Sequence, residues 1–520
     1  MSAAGTRQVW ELIRRPLSLS LAVVVLLGTA YVLSNVGDEE KRLTIAVKQG
    51  VEGVALKEIA QNFSKHTHVS VEVVELPYDE LYEEEQRQLN RRPLRQRDAV
   101  PPFDVIMVDD PWLYSLVYSP DGKELQLENL TSTLKGRDAD FFKSTLRVAQ
   151  YCPSAESCSV YFAIPFVANS QLFAYRASDF AKLGTQFTWE QVSATATAAK
   201  NRGSIGYVTR IGPGNSIVTD FMPILWAYDP DSFPEYPTHE PPLNHPDSAF
   251  TTLSTLVGTR KNLGSASFDD FDVSAYLQRG RASMGIVWSA WALMLADTDS
   301  TARELTSYLT VPTSERIVKL KDSLLSQPQA GGKGNEDDDR LTSFKEKLSF
   351  GQMPSGVGRE SQPELGVWLL AIPIKSDQQE LALDFIKYAT DLSKSAEPGT
   401  GGQTLVAAQR GTPPPRRSVL AILEEEPKFK NEHPSLIPAI RWSLENARAR
   451  PRTPCWKTIE SRLGTYLETI LAQPPNTKAV NTKDIVVRAN LELERLFDEQ
   501  GCRIFRKTAD TEIGYQEHSF

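Results

Sequence analysis

Phe103-Asp104-Val105-Ile106-Met107-Val108-Asp109-Asp110-Pro111-Trp112 follows a basic, proline-marked loop. The apolar run Val105–Val108 is short enough to be a strand buried on both faces. Two carboxylates, a proline and a tryptophan come directly after it. In an open α/β sheet, ligands bind outside the carboxyl ends of the strands. Asp109, Asp110 and Trp112 stand where that rule puts a site. Carboxylate acceptors beside a flat aromatic face suit a ligand with hydroxyl donors and an apolar ring face, such as a sugar. The competing reading of the same residues is structural, with Asp110 a helix cap and Trp112 part of a core.

Working outward, Leu43, Ile45 and Val47 alternate as a strand does, and Gly50 ends it. Leu56, Ile59, Ala60 and Phe63 then recur at helical spacing, and Val69, Val71 and Val73 alternate again. Strands alternating with helices predict an α/β fold with a largely parallel sheet. Residues 159–176 form two apolar runs broken at Pro165. A proline there suits a crossing between two lobes better than the middle of one sheet. Thr188-Trp189-Glu190 opens a helix. Ser283–Trp291 repeats the opening logic, an apolar run ending in Trp288 and Trp291. Leu365–Pro373 is a further apolar strand, with Trp368 near its start. Residues 330–342 read as an inserted acidic loop, without the spacing of a calcium site. The C-terminal region reads as helical, with a frayed tail over 511–520.

The chain has 520 residues, 24% of them charged, and a net charge of −9. That length supports two or three units with good cores, and the acidic balance argues against nucleic-acid binding. Arg7, Arg14 and Arg15 precede the uncharged stretch 17–36. Positive residues before an apolar segment direct the rest of the chain out of the cytoplasm. Residues 1–37 are therefore a signal peptide or, with the apolar run nearly long enough to span, a signal anchor. Both place the remainder in the periplasm or at the extracellular face. An exported compartment favours oxidation of the four cysteines, Cys152, Cys158, Cys455 and Cys502. Three pairings are possible. The close pair Cys152/Cys158 would close a small loop, leaving Cys455 with Cys502. The sequence has no Cys/His metal spacing, Walker motif or serine-nucleophile elbow, so no cofactor, metal or catalytic residue is assigned.

Several motifs, taken in order, resemble the extracellular solute-binding proteins of ABC transporters, in the sugar-binding group that includes maltose- and trehalose-binding proteins. They are Asp109-Asp110-Pro111-Trp112, Ala163-Ile164-Pro165-Phe166, Phe173-Ala174-Tyr175-Arg176 with Thr188-Trp189-Glu190, and Met284-Gly285-Ile286-Val287-Trp288. Trp368–Pro373, Pro414-Pro415-Arg416-Arg417-Ser418 and Arg450-Pro451-Arg452-Thr453-Pro454 complete the set. The likeness runs over roughly residues 42–500. It implies a type II periplasmic-binding fold of two hinge-linked α/β lobes, 42–163 with 284–392 and 166–283 with 393–510. It implies an oligosaccharide or related polyol held between them and delivered to an ABC transporter permease, without conversion. Glu52 and Asp109 match acids of the cleft, Trp288 and Trp368 match sugar-stacking tryptophans, and Arg416 matches a cleft arginine. At the crossing, Val167 and Asn169 stand where relatives carry Tyr and Asp, so Asn169 keeps a hydrogen bond and loses the charge. Trp288→Ala and Asp109→Ala are expected to weaken binding and leave thermal stability nearly unchanged. Two other classes differ in testable ways. A glycosidase would hold Asp109 and Glu52 at a defined separation. A membrane-anchored ligand-sensing ectodomain would bind without a permease.

Overall fold

The structure, a computed structural model, describes residues 42–90, 102–152, 160–181, 186–211, 215–235, 243, 246–259, 269–278, 280–296, 348–392, 402–471, 482–499, 505–507 and 513–515. The N-terminal segment, the 330–342 insertion, Cys158 and Cys502 lie outside these. Cys152 and Cys455 are each disulfide-bonded. Among the described residues, no helix is long and apolar enough to cross a membrane.

The alternating and helical patterns near the start build β1 (Arg42–Lys48), α1 (Val51–Thr67) and β2 (Ser70–Leu76). Leu56, Ile59, Ala60 and Phe63 form the buried face of α1, as their spacing predicts. Helix α2 (Tyr78–Leu89) leads to β3 (Val105–Asp109), whose five residues are all buried. The next strand of the main sheet, β4, runs unbroken over Ala163–Arg176. The expected break at Pro165 is absent. The register against its partner shifts there, so that Trp368 faces Val167 and Leu369 faces Pro165. A bulge tolerates a residue with no N–H to give, which is how the proline is accommodated.

Helix α3 (Trp189–Asn201) opens with a capping box between Thr188 and Gln191. After it come β5 (Ile205–Val208), α4 (Asn215–Tyr228), β6 (Ala282–Trp288), α5 (Ser289–Ala296), β7 (Leu348–Gly351) and β8 (Leu365–Ala371). The C-terminal helices used below are α6 (Leu436–Asn446), α7 (Trp456–Leu471) and α8 (Thr482–Glu499).

The strand order is β2-β1-β3-β8-β4-β6-β5, with β7 also on β4. The sheet is mixed rather than largely parallel. β1 is parallel to β2 and β3, and β5 to β6, but β8 is antiparallel to both β3 and β4, and β4 is antiparallel to β6 and β7. The antiparallel pairs arise where the chain traverses from one lobe to the other and returns. β4 is the first such passage. Its first half pairs with β8 and its second half with β6 and β7.

Strand pairing shows which strands stay together in the sheet. A boundary at 283/284 would cut β6, which pairs wholly with β4 and β5. The second passage comes at Glu364, whose carbonyl accepts from Gln171 N–H. The stretch after 393 packs in two clusters. Val419, Leu420 and Leu444 join a cluster that runs from β1, β3 and β8 to Val208 of β5 and Val287 of β6, whereas Trp456, Leu463 and Leu493 pack with Trp189, Tyr207 and Trp226. The segment between Leu444 and Trp456, which joins the two clusters, is here termed the third passage. Within the expected tail, Ile513–Tyr515 pairs antiparallel with Phe505–Lys507.

Candidate functional site

At the carboxyl end of β3 the chain turns through the short 3-10 helix Asp110–Trp112, with Pro111 inside its first turn. Asp109 and Asp110 are both buried. The Asp109 carboxylate accepts from the Tyr78 hydroxyl at 2.7 Å and from Arg450 Nη2 at 2.9 Å. Asp110 does not cap a helix. Its Oδ1 accepts from the Val367 backbone N–H at 2.9 Å and from Arg450 Nη2 at 3.0 Å, tying β8 to the turn. Burial lifts the Asp110 pKa to about 6, against the pull of Arg450 and with the added repulsion of Asp109.

Arg450 lies in the third passage and is completely surrounded. Its Nε is 3.4 Å from Glu364 and its Nη1 3.9 Å from Glu460 on α7. Burial opposes the guanidinium charge, but Asp109, Asp110 and Glu364 outweigh it and hold the group protonated well above its ordinary range. Glu364 is pushed strongly upward by burial, which Arg450 and Arg210 only partly offset. Its oxygens accept no hydrogen bond among the described residues.

Trp112 is core. It is 1% exposed, and its ring meets Tyr78 at 4.7 Å, Tyr82 at 5.0 Å and the edge of Trp368 at 5.7 Å. Other aromatics cover the ring, and Tyr78 also meets Trp368, at 6.0 Å. Trp368 carries the Lys48 ammonium 5.8 Å above its ring. Lys48 also lies 3.3 Å from Glu52, which sits buried in the first turn of α1. The preceding Gly50 has φ +140°, and a Cβ there would stand 3.0 Å from the Glu52 carboxylate. Only glycine suits that turn.

Trp288 ends β6 and is 9% exposed. Its ring edge lies against Gly366 of β8, where an added Cβ would be 3.1 Å from it. The Arg210 guanidinium sits 5.5 Å from the ring centre. Arg210 is held by Asp220, through Nε at 3.0 Å and the backbone N–H at 2.8 Å, and its Nη1 is 3.4 Å from Asp270.

The remaining candidates are placed as follows in the fold. Asn169 Oδ1 accepts from Ser289 Oγ at 3.1 Å and from Ala290 N–H at 2.9 Å, so it caps α5 from the neighbouring strand. Arg416 is committed to Asp140 at 3.0 Å, to the Thr390 carbonyl at 2.9 Å and to the Phe141 ring at 5.0 Å. Trp291, half-buried, packs with Val51, Ala290 and Met294 and so adjoins the Glu52 turn.

The structure thus gathers Asp109, Asp110, Trp112 and Trp368, adds Trp288 through Gly366, and reaches Glu52 through Lys48. Arg450, Tyr78, Lys48, Arg210, Glu364 and Glu460 were not assigned from the sequence. Arg450 stood inside a motif noted above, but its partner Asp109 is 341 positions away. Among the described residues, no group of three or more His, Cys, Asp or Glu is arranged to hold a metal ion.

Comparison with solved structures defines the class. The chain aligns over 88% of its length with 99% of an ABC transporter solute-binding protein from Agrobacterium radiobacter K84 in complex with ribitol, at TM-score 0.63 and 20% identity. Over the same shares it aligns with maltose-bound MalE3 of T. maritima, at TM-score 0.61 and 19% identity. The Thermus thermophilus maltotriose-binding protein, bound with maltotriose, aligns over 88% of this chain and 99% of its own at TM-score 0.57 and 15% identity. At such identities the likeness establishes the fold: two hinge-linked α/β lobes of the periplasmic-binding kind. The family model of bacterial extracellular solute-binding proteins matches residues 48–391, and the chain belongs to that family. No curated protein matches the sequence.

Proposed function

We propose that the protein captures a carbohydrate, an oligosaccharide or related polyol, between its lobes and delivers it unchanged to an ABC transporter permease. The observation that carries this reading is the nearness of two tryptophans from different strands. Trp288 ends β6 with its ring against Gly366, two residues before Trp368 on β8. Such rings offer apolar faces to sugar C–H groups, and Glu52, Lys48 and Asp270 beside them offer acceptors and donors for hydroxyls. The proposed contacts are Trp288, Trp368, Glu52 and Trp291, with Asp109 in the floor, where Arg450 and Tyr78 orient it. The solutes named for the three similar structures (ribitol, maltose and maltotriose) support the same chemistry. Residues 17–36 serve as a signal peptide or signal anchor that directs the rest of the chain out of the cytoplasm.

A thermal-shift screen against mono-, di- and oligosaccharides, sugar acids and polyols, with peptides as controls, tests this. A solute at 100 times its Kd adds about 2.7 kcal/mol. A saccharide that stabilises the protein and is recovered intact supports the reading. Stabilisation by peptides alone overturns it.

A further inference from the structure

The nitrogens of Arg450 are shared among three parts of the molecule. Nη2 serves Asp109 and Asp110 at the end of β3, Nε faces Glu364 in the second passage, and Nη1 faces Glu460, one turn into α7. The third passage is itself sewn to the second, since Arg448 N–H donates to the Pro363 carbonyl and Leu365 N–H to the Arg448 carbonyl, both at 2.9 Å. Helix α7 packs with Trp189 and Trp226, whereas β3 pairs with β1 and β8 at the other end of the sheet. The start of α7 makes a second contact across the lobes. Lys457 donates to Asp79 at 2.5 Å and lies 4.5 Å from the Tyr78 ring centre. Tyr78 is the other donor to Asp109.

We infer that Arg450 is a positioning residue that couples the acids at the end of β3 to lobe closure, with Lys457 the outer half of the same latch. Acids approach it from several directions, which a planar five-donor fork satisfies and a single ammonium does not. If α7 moves off with its lobe, Glu460 and Lys457 leave their partners together. The lobe arrangement that holds these contacts is therefore favoured before any solute adds its own. A solute that needs closure gains apparent affinity in proportion to the closed fraction. The inference rests on the two-lobed fold and not on the identity of the solute.

Hydrogen–deuterium exchange of the full chain in detergent, with no solute added, tests it. In Arg450→Gln, exchange should rise about tenfold or more in peptides covering 363–371 and 448–463, beyond any rise at 43–48 and 205–208. Arg450→Lys, which keeps the charge, should recover part of the protection. Because the buried variant risks misfolding, Lys457→Met is measured in parallel, since Lys457 is 21% exposed. It should raise exchange in the first turn of α7 and in 78–82 together. Acceleration on both sides of the contact supports the latch. Acceleration on one side alone, or on neither, overturns it, whether or not a sugar proves to be the solute.

Discussion

The guanidinium of Arg450 donates to the Asp109 carboxylate at 2.9 Å, with both side chains 4% exposed or less. That pairing changes what a substitution at Asp109 means. The acid expected to face solute is also a partner of a buried cation. Asp109→Ala therefore loses stability as well as affinity, contrary to the thermally silent variant expected from the sequence. Removing one partner of a buried pair costs about 3–5 kcal/mol. Arg450→Gln should fall in that range in urea denaturation. Adding Asp109→Asn should recover part of the loss, because the stranded charge is removed with it. Strictly additive losses would show that the two groups do not interact.

Glu85 lies on the inner face of α2, fully buried, and neither oxygen accepts a hydrogen bond among the described residues. Burial first, and the charge of Asp109 second, push its pKa well above the ordinary carboxylate value of 4.5. Between that value and the raised one, the folded chain keeps the proton that the unfolded chain sheds. The unfolded state then binds fewer protons, so stability falls as pH rises through this window. Glu85→Gln cannot titrate. It should exceed the wild type at pH 7 by about 1 kcal/mol or more, and the advantage should vanish near pH 4. A variant less stable at pH 7 would contradict this account.

Gly366 is placed for contact rather than for backbone freedom. A methyl at this position stands 3.1 Å from the Trp288 ring, so the ring must shift by a few tenths of an ångström. Gly366→Ala should alter the near-ultraviolet circular dichroism and cost less than about 1.5 kcal/mol. It should also weaken saccharide binding. An unchanged spectrum would mean that Trp288 is not against this strand.

Cys152 and Cys455 are disulfide-bonded. Each bridge lost should cost about 2–5 kcal/mol, so reductant should lower the melting temperature. No change on complete reduction would show that the bridges carry no stability.

Much of the fold could be read from local pattern. Val105–Asp109 is the buried strand its composition indicates, and α1 buries the face its spacing indicates. Pro165 marked a real irregularity, yet the chain runs on through it because a bulge absorbs the missing donor. The lobe boundaries were less legible. Ala282–Trp288 is apolar whichever half of the sheet it joins, and only pairing with Gln171–Tyr175 decides. The site was legible by residue type but not by direction. Trp112 and Trp368 are equally aromatic in sequence, but Tyr78 and Tyr82 cover Trp112, whereas the Lys48 ammonium lies over Trp368. Arg450 could not be matched to Asp109 from sequence, because nothing local links residues brought together by a third passage between lobes.

The most direct measurement is isothermal titration of the wild-type protein, Trp288→Ala and Trp368→Ala with maltose, maltotriose and ribitol, recovering each solute afterwards for chromatography. The account predicts saturable one-site binding of at least one of them by the wild type, a loss of more than about tenfold in affinity in each variant (about 1.4 kcal/mol), and solute returned intact. Equal affinity in all three proteins, no binding of any of the three solutes, or cleavage of the sugar would contradict capture of a carbohydrate between these two rings.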